Sequence, residues 1–188
     1  MTNKLKRILL VDDSREFNYL NNYIIKKNGC TDHIQVAENG QQALDILNLG
    51  IKETNLFPDL ILLDLNMPCI NGWEFMEAFK ELKFDQKDEI IIVILSSSIN
   101  PEDKTRAEKI KEVSGFVNKP LTPEKFNILL KEHFNSTPGH TDKFSSNKKG
   151  NAHQFMPSLS ISDLYRKLNF LQENNVAKKN RKPLFFSY

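Results

Sequence analysis

Residues 58–68 read Pro58-Asp59-Leu60-Ile61-Leu62-Leu63-Asp64-Leu65-Asn66-Met67-Pro68. The apolar run Leu60–Leu63 is unbroken, and a carboxylate ends it. A short continuous apolar run bounded by turn residues suits a strand buried on both faces, as in a parallel sheet. Ligands of open α/β sheets bind outside the carboxyl ends of the strands, and Asp64 falls at such an end. Pro68 stops the strand and Gly72 lets the following loop turn.

Outward from this strand the same pattern repeats. Arg7–Val11 is a buried strand, closed by Asp12-Asp13-Ser14, where Asp13 or Ser14 can cap a helix over about 15–28. Phe17, Leu20, Ile24 and Ile25 share one face of that helix, and Asn28-Gly29 stops it. His33–Ala37 is a second strand, Asn39-Gly40 a turn, and Ala43, Leu44, Ile46 and Leu47 mark a second helix. Residues 50–58 read as a connection. Beyond the organising strand, Trp73, Phe75, Met76 and Phe79 describe a third helix, and Asp85–Asp88 is a polar loop. Glu89–Leu95 is a fourth, β-branched strand ending in Ser96-Ser97-Ser98. Asn100 caps a fourth helix over 101–112, with Pro101 at its first position. Gly115–Asn118 is a fifth strand, followed by Lys119-Pro120 and a Thr122-capped helix carrying Phe126, Ile128, Leu129 and Leu130. Five strands alternating with five helices mean right-handed βα units and a parallel sheet.

The chain has 188 residues, 39% of them apolar, and a formal charge of +2. That charge hides an asymmetry. Residues 136–188 hold nine Lys/Arg against three Asp/Glu, a net of +6, which leaves −4 on residues 1–135. From Ser136 to about Ser160 the composition is that of a disordered linker. Leu164, Leu168 and Leu171 then form one short amphipathic piece, Lys178–Lys182 is a basic cluster, and Leu184-Phe185-Phe186 is an apolar end. The expected organisation is one domain over 1–135 and a basic, low-complexity tail over 136–188. The two cysteines, Cys30 and Cys69, lack metal-ligand spacing and read as reduced thiols. No stretch approaches the ~18 apolar residues of a membrane span, and the start of the chain does not read as a signal peptide. A cytoplasmic protein is expected, with no membrane association, and the tail is read as solvated rather than as a nucleic-acid arm.

The strand ends carry Asp12 and Asp13, then Asp64, then Ser96, then Lys119. In a parallel sheet these ends lie on one edge, so the groups converge. Two unit charges ~4 Å apart repel by on the order of 4 kcal/mol at an effective dielectric of 20. A hard divalent cation removes that cost, and Mg²⁺ suits a site of few carboxylates, waters and phosphate oxygens. Asp13 and Asp64 are the expected direct ligands, the backbone carbonyl of Asn66 completes the protein share, and Asp12 acts through a bound water. Asp64 is then a carboxylate nucleophile for a phosphoryl group. Lys119 neutralises the phosphoryl oxygens, and Ser96 hydrogen-bonds one of them afterwards.

Asp12-Asp13, Asp64 before Met67-Pro68, Ser96 and Lys119-Pro120 together resemble the receiver domain of two-component response regulators, over about residues 5–135. The resemblance implies a flavodoxin-like, doubly wound α/β fold with strand order 2-1-3-4-5. It implies phosphotransfer to Asp64 from a histidine kinase or a histidine phosphotransfer protein, without enzymatic turnover. It implies a switch in which Ser96 moves with Phe116, whose burial carries the signal because it has no hydroxyl, and Phe116 itself reads as a core residue. It places output on the face of the fourth helix, fifth strand and fifth helix, with homodimerisation open, and assigns the tuning of phosphoaspartate hydrolysis to Asn66 and Ser98. The remaining 53 residues after 135 are too few for a winged helix, so a stand-alone receiver of the chemotaxis-regulator type is expected. Two rival readings stand beside it. One is a receiver-shaped interaction module that works without phosphorylation. The other is an aspartyl-phosphate phosphohydrolase, which needs a second Asp where Asn66 stands. Cys69 reads as an inert loop thiol, Trp73 as helix packing, and none of the four histidines as a phosphohistidine.

Overall fold

In the computed structural model, residues 4–53, 56–98 and 100–134 are described. The linker, the amphipathic piece at Leu164, Leu168 and Leu171, and the basic cluster 178–182 lie outside the described residues. The strands are β1 (Ile8–Val11), β2 (Ile34–Ala37), β3 (Leu60–Asp64), β4 (Ile91–Ser96) and β5 (Val113–Asn118). The helices are α1 (Arg15–Asn28), α2 (Gly40–Glu53), α3 (Gly72–Glu81), α4 (Pro101–Glu108) and α5 (Pro123–Phe134). The sheet is fully parallel, in the order β2-β1-β3-β4-β5, as the resemblance implies.

The aliphatic runs explain the order. β1 and β3 are buried along their whole length, and β4 after its first residue, while β2 and β5 are partly exposed at the edges. Side chains alternate between the two faces of a strand. Leu9, Val11, Ile61, Leu63 and Ile92 meet Phe75, Met76, Phe79 and Leu47 of α3 and α2 in one core. Ile8, Leu10, Leu60 and Leu62 point the other way and are at most 1% exposed. On that side α1 and α5 contact each other. Register carries the strand ends to one edge: Val11 pairs with Leu63, Asp64 with Leu95, and Ser96 with Asn118.

Caps fix where the helices start. The Ser14 side chain accepts the Phe17 amide of α1 at 3.2 Å, Asn100 accepts the Glu102 amide at 3.0 Å, and Thr122 accepts the Lys125 amide at 3.2 Å. Asn71 and Glu74 form a capping box on α3. Gly29 ends α1 at φ 76°, a left-handed conformation that costs glycine little.

Four boundaries differ by more than one residue from the reading of the sequence. α2 runs on to Glu53 because Leu47 and Gly50 continue its buried face, and a Cβ on Gly50 would stand 3.0 Å from the Phe57 ring. β4 begins at Ile91, since Lys87–Glu89 makes a 3₁₀ turn whose Lys87 ammonium caps the end of α3 through the carbonyls of Lys80 (2.6 Å) and Leu82 (3.0 Å). α4 stops at Glu108, with Ala107 its one buried residue, and the chain tightens through Lys109, Ile110 and Val113 amides bonded three residues back into a longer β5. So little apolar surface cannot hold a longer helix to the sheet.

Gly72 is required where α3 leaves the β3 loop. Its amide donates to the Leu65 carbonyl at 3.0 Å, and a Cβ there would crowd the Asp64 carbonyl and stand 2.8 Å from the Leu65 Cα. Backbone cannot step aside as a flexible side chain can. Gly72→Ala is expected to lower stability by about 1–3 kcal/mol, read as a lower urea midpoint with an unchanged slope.

Candidate functional site

The turn after β1 fixes the first carboxylate. The Asp12 amide donates to the Ala37 carbonyl at 3.0 Å, and the Asn18 amide group holds the Asp12 carbonyl at 2.7 Å. The Ser14 amide donates to Asp12 Oδ1 at 3.0 Å. Asp12 is 3% exposed, whereas Asp13 faces solvent. The end of β3 fixes the second. Asp64 is 4% exposed, with Oδ1 accepting the Leu65 amide at 2.9 Å and the Asn66 amide also turned toward the carboxylate. Oxygens of Asp12, Asp13 and Asp64 lie within 4.8 Å of one another.

Lys119 arrives from β5. Its amide donates to the Ser96 carbonyl at 2.9 Å, so the ends of β4 and β5 are tied together. The Lys119–Pro120 peptide is cis. Lys125 of α5 braces the loop through the carbonyls of Asn118 (2.6 Å) and Pro120 (3.0 Å). The Lys119 side chain is 3% exposed, and its Nζ lies 2.7 Å from Asp12 Oδ2 and 3.1 Å from Asp64 Oδ2. The ring of Phe17 lies against the same ammonium, with 4.4 Å between Nζ and its centroid.

One ammonium between two carboxylates leaves an excess of negative charge, with Asp13 adding to it. Burial pushes Asp12 up to about 6, Lys119 pulls against that rise, and the charge of Asp64 adds to it. Burial also raises Asp64, again opposed by Lys119. The donor set suits a hard divalent cation: three carboxylates, all oxygen, one of them exposed so that waters can complete the shell. Asp12, Asp13 and Asp64 are the side chains that would hold Mg²⁺ there.

Ser96 is fully buried at the end of β4, and its Oγ accepts the Ser98 amide at 3.0 Å. Ser98 Oγ in turn accepts the Asn100 amide at 3.1 Å, which ties this loop to the start of α4. Asn66 is exposed at the head of the β3–α3 loop. Phe116 is half-buried rather than a core residue. It packs on the small cluster of Leu65, Ile94 and Ala107, beside Trp73 and Val113. The edge of the sheet thus joins Asp12, Asp13, Asp64 and Lys119 directly, ties Ser96 to Lys119 through the backbone, and leaves Phe116 beneath α4. Sequence reasoning missed two neighbours. It placed Phe17 on the apolar face of α1, where it is indeed buried, but not its ring against the Lys119 ammonium. It also read Trp73 as packing alone, whereas the Arg106 guanidinium of α4 lies 4.2 Å from the centroid of its ring.

The model of the response regulator receiver domain matches residues 8–131. The chain is 30% identical over 125 residues to the probable methanogenesis regulatory protein FilR2 of Methanothrix harundinacea, an alignment covering 66% of this chain and 79% of that one. Other curated relatives are longer, and the chain spans 27% and 7% of two of them. A two-component response regulator from Cytophaga hutchinsonii superposes with a TM-score of 0.65 at 36% identity, covering 71% of this chain and 99% of that one. The phosphorylated cyanobacterial phytochrome response regulator RcpA superposes with a TM-score of 0.57 at 28% identity, covering 71% and 96%.

The raised carboxylate has a consequence for stability. Between pH 3.8 and about 6 the folded protein binds more protons at Asp12 than the unfolded chain does, so stability falls as pH rises. The loss across that window is on the order of 3 kcal/mol. Metal-free protein is expected to show a falling urea midpoint from pH 4 to pH 6.5. Asp12→Asn is expected to flatten that fall and to raise the midpoint at pH 7.

Proposed function

The chain belongs to the response regulator receiver domain family, and on that premise we propose that Asp64 accepts a phosphoryl group from a histidine kinase or histidine phosphotransfer protein in a Mg²⁺-dependent reaction. The observation that carries this reading is the Lys119 ammonium bridging Asp12 and Asp64 at the mouth of the sheet. An Asp64 carboxylate oxygen attacks phosphorus in line. A P–O bond forms, the P–N bond to the donor histidine breaks, and its electron pair returns to the imidazole. Mg²⁺, when bound, supplies positive charge to the phosphoryl oxygens and removes the repulsion among the carboxylates. Asp13, Asp64 and the backbone carbonyl of Asn66 would hold it directly, and Asp12 would act through a water. Lys119 moves its ammonium from carboxylate to phosphoryl oxygen, a charge-assisted contact made by a buried side chain.

The product carries more negative charge than the carboxylate it replaces. The Ser96 hydroxyl gives up its place beside the Ser98 amide to donate to a phosphoryl oxygen. The space it leaves draws Phe116 inward, away from its half-buried position under α4. The face of α4, β5 and α5 changes as a result and is the surface a downstream protein reads. Asn66 and Ser98, on the loops that follow β3 and β4, set the access of the hydrolytic water. The domain over 1–135 acts in the cytoplasm and is not a turnover enzyme, and residues 136–188 are an appendage to it. Among the described residues no helix is long and apolar enough to cross a membrane.

Acetyl phosphate with Mg²⁺ tests the reading. Intact-mass analysis is expected to show one phosphoryl adduct, absent in Asp64→Asn and absent when EDTA removes the metal. No adduct in the wild-type protein, or an equal adduct in Asp64→Asn, contradicts it and favours a receiver-shaped module that signals by binding alone. Asp13→Asn is expected to raise the Mg²⁺ concentration for half-maximal phosphorylation by at least about tenfold, since a hard cation loses one anionic ligand.

A further inference from the structure

We propose that Phe17 is a positioning residue for Lys119, its ring forming a fixed seat for the ammonium throughout phosphoryl transfer. The inference rests on the phospho-acceptor reading of Asp64. An ammonium has three donors and no acceptor. Two of its directions point to Asp12 Oδ2 at 2.7 Å and Asp64 Oδ2 at 3.1 Å. The Phe17 ring lies against it with its centroid 4.4 Å from Nζ, inside the ~6 Å over which a ring quadrupole attracts a cation. The Lys119 side chain is 3% exposed and Phe17 8%, so little water competes for the charge. Removing water is what gives such a contact weight.

The three contacts differ in what the reaction does to them. Asp64 spends its free carboxylate on the new P–O bond. Asp12 would share its charge, through water, with a bound cation. The ring alone is neither consumed nor recruited, so it is the contact that stays with the ammonium while Lys119 exchanges a carboxylate for a phosphoryl oxygen. A leucine side chain fills much of the same volume but offers no quadrupole. It leaves the lysine held by the two carboxylates before transfer and under-held during it.

The ring is set there by the same turn that sets the acid pair. The Ser14 side chain bonds the Phe17 amide at 3.2 Å, and the Ser14 amide bonds Asp12 Oδ1 at 3.0 Å. The first turn of α1 therefore fixes both the carboxylate and the ring that meet the incoming lysine. The spacing Asp12-Asp13-Ser14-Arg15-Glu16-Phe17 encodes both.

The test compares full-length wild type, Phe17→Leu, Phe17→Tyr and Phe17→Trp with acetyl phosphate at saturating Mg²⁺. Thermal unfolding of each variant checks that it is folded. The maximal phosphorylation rate of Phe17→Leu is expected to fall by about three- to thirtyfold, the range from an exposed to a desolvated cation–π contact. The acetyl phosphate and Mg²⁺ concentrations for half-maximal rate should stay within twofold, and at least one ring-bearing variant should recover the wild-type rate. In the unphosphorylated protein, the Lys119 ε-methylene protons should resonate upfield in the wild type and in the ring-bearing variants, but not in Phe17→Leu. A folded Phe17→Leu that matches a phosphorylated wild type in rate overturns the inference alone. So do Lys119 ε-protons at ordinary shifts in the wild type. A wild type that accepts no phosphoryl group overturns the phospho-acceptor reading, and the seat in phosphoryl transfer falls with it.

Discussion

One ammonium group stands between two buried carboxylates, and the rest of the molecule is arranged to bring the three together. Asp12 follows β1, Asp64 ends β3, and Lys119 follows β5, so no two of them are near in sequence. A parallel sheet with right-handed crossovers places all three on one edge, and the apolar strands behind them keep water out. Lys119 offsets part of the charge, 2.7 and 3.1 Å from the two carboxylates. The remainder is an excess of negative charge beside solvent-facing Asp13. A buried ion cluster of this kind is weak evidence for stability, because desolvation works against it. Under the proposed phospho-acceptor function, the fold keeps an uncomfortable arrangement that a divalent cation and a phosphoryl group can relieve.

How much of this was legible in the sequence depended on local signals. The central strands were, because Leu60–Leu63 and the β-branched run before Ser96 allow little but buried strands. So were the acid pair, Asp64, Ser96 and Lys119, since each sits directly at the end of such a run. The end of α4 was not. Its residues are charged and helix-tolerant, and only the geometry of the chain entering β5 decides where it stops. The ring beneath Lys119 was also hidden. Helical spacing gives Phe17 an apolar face but not its neighbour 102 positions away, which depends on packing alone. Phe116 was expected in the core and is half-buried, because β5 is an edge strand and one of its faces lies beneath the short α4.

The side of the domain around α4 follows from the same physics. α4 carries one buried residue, Ala107, and is pinned by a shared cluster of Leu65, Ile94, Trp73 and Phe116 and by the stack of Arg106 on the Trp73 ring. Leu65 follows Asp64 directly and Trp73 opens α3 from the same loop. A change at Asp64 therefore meets α4 through side chains already in contact. A weakly held helix beside the site is the element with least to lose on moving, since elements with few buried apolar contacts open at the lowest cost.

The central claim is that the edge of the sheet is a divalent-cation site built from Asp12, Asp13 and Asp64. Titration of the metal-free protein with Mg²⁺, followed by backbone amide chemical shifts, tests it most directly. The account predicts saturable shifts confined to the turn after β1, the β3–α3 loop and the residues around Lys119, and their loss in Asp13→Asn. Saturating Mg²⁺ that leaves those amides in place, or moves only scattered surface carboxylates, contradicts it.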